Sequence, residues 1–369
     1  MQTNFVKDLK NIQDRVKVIW QSKKTNKYLD ITSIVSKKTW EGDYKSSGRK
    51  ATIEVVNAYE DSNIPKADIK NWDVIRFFIE DKLLFCGNVK NINKSSDGNT
   101  FTYTIFDIGH RLLTKDSKIY KGKTAEEIAK DLLTTHKMSV GVFAKTNKKM
   151  DKFFQGNSLY EMIMIAYTEV SKTTKKKYML AVVDDKINVI EKGLNILKIE
   201  FIEGKNIISS SYDESIENIV NRVIVKDDKG NVKATKEKKD WIKLYGVMQD
   251  VIQVTQNDKN ENETIEKAFK KVERSCKLTG FGDITTITGS AVYVTDKKTG
   301  LVGKFYIDSD KHTFEKGLHK IELTLNFENI MDEHSGGEKQ ESSGSGSGGS
   351  SYTTVKGGWR EVPAEFTAY

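Results

Sequence analysis

Proline and cysteine are nearly absent, with two of each in 369 residues, and histidine occurs five times. No stretch approaches the roughly 18 apolar residues that a membrane-spanning helix requires. Residues 1–10 lack the apolar segment of a secretory signal. Together these absences predict a chain that folds in the cytoplasm and has no membrane anchor. Cys86 and Cys276 stand far apart in apolar surroundings, without a CxxC or CxxH partner, and read as two small buried hydrophobes.

The signatures of catalysis are missing too. None of His110, His136, His312, His319 and His334 has an i, i+4 partner, an HExxH context or a nearby cysteine. A hairpin would let His312 and His319 converge, which falls short of a metal site. There is no GxSxG, no GxxxxGK[ST], and no GxGxxG that follows a strand and opens a helix. The acid pairs Asp184-Asp185 and Asp227-Asp228 occupy turn positions beside Lys or Gly, whereas a glycosidase acid needs a partly apolar pocket. The expectation is no catalytic, cofactor-binding or metal residue, and a structural or assembly protein rather than an enzyme.

What the chain does have is interleaved charge and strand patterning. Sixty Lys and Arg among 52 Asp and Glu leave a net charge of +8, and their mixing reads as a solvated surface. The basic runs 175–177 and 236–239 lack aromatic interleaving, so stable nucleic-acid binding is not expected. Six strands are predicted at 15–20, 28–35, 51–56, 73–79, 83–92 and 101–108, the last two joined at an Asp97-Gly98 hairpin tip. Near Gly122 the period changes. Capping boxes at Thr124/Glu127 and Ser158/Glu161 open helices with apolar faces, and 178–183 and 186–190 form a hairpin about Asp184-Asp185. Strands are predicted again at 221–226, 232–235, 244–254 and 321–327, interrupted by a helix over 262–276. Two β-rich regions around an α/β insert raise an internal duplication, though no residue-level repeat proves it. A Ser/Gly run over 342–351 reads as a flexible tether.

Several blocks resemble one family. They include KTWEGDY (38–44) with RKA (49–51), DVIRF (73–77), LFCGNV (84–89), YTIFD (103–107), KTAEEI (123–128), KYML (177–180), VIEKG (189–193) and SIENIVNRV (215–223). GKFYI (303–307), HTF (312–314) and HKIEL (319–323) resemble its closing hairpin. The family is the hub proteins of phage and phage-derived contractile tail baseplates, in the XkdQ/YqbQ-like branch related to late control protein D. VPAEFTAY (362–369) resembles the first strand of the three-aspartate murein-hydrolase domain that some hubs carry after a linker. Its catalytic aspartates are not among these residues.

The resemblance implies a mainly β fold of two tail-tube-like antiparallel β-barrels with an inserted α/β domain and a flexible C-terminal tail. The expected division is a first barrel over 1–120, the insert over 121–195, a second barrel over 196–333, a linker over 334–358 and a hydrolase-like strand over 359–369. It also implies a homotrimer that joins a hexameric tail tube to a trimeric central spike. Further implied partners are baseplate wedge proteins and the tape measure protein, in the tail of a virion or bacteriocin particle. The alternative is a tail-associated peptidoglycan hydrolase whose catalytic domain lies beyond Tyr369.

Overall fold

Alternation of apolar and polar side chains sorts most of the chain into antiparallel strands. The computed structural model describes residues 16–56, 63, 66–96, 99–255 and 261–338. The first strand set is β1 (Val16–Gln21), β2 (Tyr28–Asp30), β3 (Val35–Asp43), β4 (Lys50–Val56), β5 (Val74–Ile79), β6 (Lys82–Asn93) and β7 (Thr100–Phe106). They lie in the order β3-β4-β7-β6-β5-β1-β2 over a core that includes Ile53, Ile75, Phe77, Tyr103 and Ile105.

An α/β insert follows, comprising β8 (Lys115–Lys123), α1 (Ala125–Thr135), β9 (Val140–Phe143), β10 (Met150–Ser158), α2 (Leu159–Thr174), β11 (Tyr178–Val183) and β12 (Lys186–Glu191). Both helices start at complete capping boxes, Thr124 with Glu127 and Ser158 with Glu161. These satisfy amide donors that would otherwise be orphaned at the helix ends. Late chain returns to this insert: Met331 enters its core, and Phe153 donates to the Gly337 carbonyl at 2.8 Å.

The second strand set begins with β13 (Ile196–Ile202) and β14 (Ile207–Ser215). A small lobe intervenes, made of β15 (Arg222–Lys226), β16 (Val232–Glu237), α3 (Lys239–Tyr245), β17 (Gln249–Gln253) and α4 (Glu261–Ala268). It has its own three-stranded sheet and a small core around Val223, Val225 and Ile265. The set then resumes with β18 (Glu273–Gly280), β19 (Ala291–Asp296), β20 (Leu301–Glu315) and β21 (Leu318–Asn326).

The two sets repeat each other. Taken in chain order, β1, β3, β4, β5, β6 and β7 occupy the places of β13, β14, β18, β19, β20 and β21, and the spatial order is the same. The bulges coincide as well. β3 is bulged between Val35 and Lys37 as β14 is between Ile207 and Ser209. β6 is bulged between Val89 and Asn91 as β20 is between Ile307 and Ser309. Bulges re-aim a strand at a fixed point, so their coincidence aligns the sets residue by residue where side-chain identity does not. The sets differ in the first pairing, β1–β5 antiparallel against β13–β19 parallel, and in the small lobe, which stands where the first set has only the 44–49 loop.

Several expected elements are corrected. The strand over 28–35 is broken by a 3-10 turn at Thr32–Ile34, where the Asp30 carboxylate accepts from Thr32 N at 2.9 Å. The long β3 begins only there. Residues 244–254 split into the end of α3 and β17, because the chain turns at Gly246 with φ of 75°. The helix over 262–276 stops at Ala268. Cys276 lies in β18, which pairs with β14 on one side and β21 on the other, and that pairing outweighs the helical period. Strands β8, β9, β10, β13, β14 and β19 went unpredicted. The Asp97-Gly98 tip, the Ser/Gly run and residues 359–369 lie outside the described residues.

Candidate functional site at the seam between the strand sets

The two sets share one sheet because β20 is long. Its first half, 301–306, pairs with β19, while Ser309–Glu315 pairs with Asp43–Lys37 of β3. Past the bulge, Asp310, His312 and Phe314 face inward, and Phe314 completes the core of the first set. One strand thus belongs to both cores.

Two ion pairs are buried there. The Arg49 guanidinium makes a two-pronged contact with Asp310, with Nη1 to Oδ1 at 3.0 Å, and lies 4.2 Å from the Trp40 ring centroid. Asp310 also accepts from Thr288 N and Oγ1, both at 2.7 Å. Burial alone would raise its carboxyl, but Arg49 and His312 outweigh that and hold it well below the carboxylate range. Two residues earlier, at the bulge, Asp308 takes Lys192 Nζ at 2.5 Å and Asn326 Nδ2 at 3.1 Å, which ties the end of the insert to β20. Removing one member of such a pair strands a buried charge and costs about 3–5 kcal/mol.

His312 and His319 do converge. His312 Nε2 lies 3.0 Å from the Thr286 carbonyl, which can only accept, so that nitrogen carries the proton. In the neutral ring Nδ1 then accepts from His319 Nε2 at 2.9 Å. Burial and the neighbouring His312 push the His319 pKa down to about 3. Phe314 stacks on His319 at 4.3 Å, so the pair serves as packing and hydrogen bonding. Among the described residues, no group of three or more His, Cys, Asp or Glu is placed to hold a metal ion.

Asp107 anchors the adjoining loop. It accepts from Arg49 N at 2.8 Å and Gly109 N at 2.9 Å, and burial raises its pKa to about 7 against those bonds. Outside the core, the seam presents a polar face. Glu322, Lys311, Glu41 and Lys50 stand side by side across four strands, and Thr313, Thr39, Thr52 and Thr104 form the next row. A groove of about 850 Å³ runs along this face beside the Lys45–Gly48 loop. Its charges alternate in sign, and no pair of groups in it is arranged as a nucleophile with a base.

The remaining sequence candidates are scattered. His110 packs at a tilt against Phe106, His136 pairs with Asp116 at 3.0 Å and His334 with Asp332 at 2.7 Å. Asp184 and Asp185 hold the left-handed backbone of a tight turn, and Asp227 caps its own turn through Lys229 N and Asn231 N. Cys86 is half-buried and Cys276 buried, and burial raises both thiols. Sequence reasoning missed Arg49, Asp107, Lys192, Asp308 and Asp310. The available signal was polar residues at 310 and 312 on the face of a strand whose next inward residue is Phe314.

Comparison with known proteins agrees with this architecture. A family profile described as YQBQ-like matches residues 38–326. An uncharacterized protein YqbQ of Bacillus subtilis is 25% identical over 271 residues, covering 70% of this chain and 82% of that one. The phage-like element PBSX protein XkdQ of the same organism is 22% identical over 280 residues, covering 72% and 84%. Among solved structures, the 43 kDa tail protein of prophage MuSo2 from Shewanella oneidensis superposes with a TM-score of 0.64 at 13% identity, over 84% of this chain and 98% of that one. With its mostly antiparallel β architecture similar to that of phage tail proteins, this chain belongs to the YQBQ-like family.

Proposed function

We propose that this chain is a structural, non-enzymatic hub of a contractile tail baseplate, in a phage or a phage-tail-like bacteriocin. Each strand set acts as a tail-tube-like barrel, and three chains supply six equivalent sets in a ring. Such a ring presents sixfold repetition to a hexameric tube on one side and threefold symmetry to a trimeric spike on the other. The α/β insert and the small lobe, which differ between the sets, carry the threefold features. Partners are the tube protein, the central spike, wedge proteins and the tape measure protein, and the work is mechanical: nucleate the tube and hold the spike until contraction.

The observation that carries this reading is the repetition itself, two strand sets with the same order and coincident bulges fused by one continuous sheet. A symmetry adaptor needs that duplication, and an enzyme does not. Deleting the gene in a producing strain tests it. Electron microscopy is expected to find no complete tails, and complementation by the full chain is expected to restore them. Intact tails of normal length in the deletion strain would contradict the reading.

A further inference from the structure

The two buried ion pairs of the seam differ in what their cations can do. The Arg49 guanidinium stays charged and is no nucleophile. Lys192 carries a primary amine, and its side chain is 0% exposed against 9% for Asp308. Its Nζ stands 2.5 Å from Asp308 Oδ1, closer than an ordinary N–H···O bond. An ammonium has three N–H donors to satisfy. Among the described residues, Asp308 Oδ1 is the one acceptor that Lys192 Nζ reaches, and the Tyr44 ring, with its centroid 4.8 Å away, covers another side. A buried ammonium so sparsely bonded is costly. Burial pushes the Lys192 pKa down although Asp308 and Asp43 pull it up, and so works toward the free amine, the nucleophilic form.

The carboxyl group is held for attack. Asn326 Nδ2 donates to its other oxygen, Oδ2, at 3.1 Å. The Asn326 amide is itself oriented by its Oδ1, which accepts from Glu328 N at 2.9 Å. The backbone is fixed on both sides. The Asp308 carbonyl accepts from Tyr44 N at 3.0 Å, and Lys192 N donates to the Lys177 carbonyl at 2.8 Å. The Lys192 carbonyl accepts from Asn329 Nδ2 at 2.7 Å. Two separately anchored segments thus hold an amine and a carboxyl group in contact, the arrangement that makes a condensation effectively intramolecular.

We propose that Lys192 and Asp308 condense to an isopeptide bond, a covalent crosslink between the end of the insert and β20. Proton transfer within the pair gives an amine and a carboxylic acid. Nζ then attacks Cγ while Asn326 Nδ2 stabilises the charge that gathers on Oδ2. The Nζ–Cγ bond forms and the Cγ–Oδ1 bond breaks. Oδ1 leaves as water, carrying the acid proton and one proton from Nζ. The product keeps one N–H, and Oδ2 becomes the amide carbonyl, still bonded to Asn326, the positioning residue. The crosslink replaces two buried charges with a neutral group. It joins positions 116 apart and clasps the α/β insert to the shared sheet under load. It does not depend on the hub reading.

Mass spectrometry of the full chain tests it. The denatured intact chain is expected to weigh about 18 Da less than its sequence, the mass of one water. Tryptic digestion is expected to give a branched peptide that joins residues 187–198, uncut at Lys192, to residues 305–311. Lys192→Arg and Asp308→Ala are each expected at full sequence mass, and Asn326→Ala is expected to carry the crosslink in a smaller fraction of chains. The branched peptide is read on the unaltered chain, so a variant that misfolds does not weaken the test. A folded chain that stays at full sequence mass after prolonged incubation would overturn the proposal. So would a loss of water that maps to other residues. An unchanged crosslinked fraction in Asn326→Ala would overturn the part assigned to Asn326.

Discussion

The seam and the outer face of β14 carry an arginine–carboxylate pair at matching places in the two strand sets, in two environments. At equivalent positions stand Arg49, which binds Asp310 with side chains 13% and 0% exposed, and Arg274, which binds Glu214 at 50% and 43%. Trp40 packs inside the seam, while Tyr212 sits on the edge with its hydroxyl on Glu214. One ion pair is buried between the two strand sets, and the other stays in solvent. An interface made once during folding can tolerate the desolvation of an ion pair because its partners are covalently held close.

The sharpest way to break the comparison is to delete each arginine. Arg49→Ala leaves Asp310 buried without its cation and is expected to destabilise the chain by about 3–5 kcal/mol, read as a shift in the urea midpoint. Arg274→Ala removes an exposed pair and is expected to cost at most about 1 kcal/mol. Equal losses would mean that the two sites are not environmentally distinct.

Acid sharpens it next. His319 is held neutral in the fold at a pKa of about 3, below its unfolded value. The folded state therefore binds fewer protons than the unfolded state between about pH 3 and 6.5. The stability it contributes is fully present above about pH 6.5 and is lost as pH falls, by up to about 5 kcal/mol. Asp107, raised to about 7, works in the opposite sense between about pH 4 and 7. The slope is thus read cleanly in an Asp107→Asn background and is expected to flatten when His319→Gln is added.

A smaller effect is expected at Gly109, where a Cβ would stand 2.2 Å from the Ser47 carbonyl. Gly109→Ala forces the Arg49 loop away from Asp107 and is expected to cost about 1–3 kcal/mol, measured by thermal unfolding. The smallest lies outside the seam: Thr124→Ala, which removes the α1 cap, is expected to cost about 1 kcal/mol without altering self-association.

Much of the fold was legible where one strand or helix decides its own state. The alternation of Ile321, Leu323 and Leu325 and the two capping boxes predicted β21, α1 and α2. What escaped depends on partners distant in sequence. β3 carries two lysines and two acids among its nine residues yet is a central strand, because Lys38 is buried with its Nζ on the Val16 carbonyl at 3.0 Å. β18 has a helical neighbour and becomes a strand only between β14 and β21. The duplication was invisible to side-chain comparison, since bulge positions and pairing order are backbone properties. The Arg49–Asp310 pair joins residues 261 positions apart, and no local pattern marks it. The resemblance to tail hubs, carried by the order of many short blocks, reached the family ahead of any single motif.

The measurement that tests the central claim most directly is the mass of the full chain in solution by light scattering, alone and with its tube and spike partners. The account predicts three copies, either alone or once the partners are added. A chain that remains a single copy in their presence would contradict it.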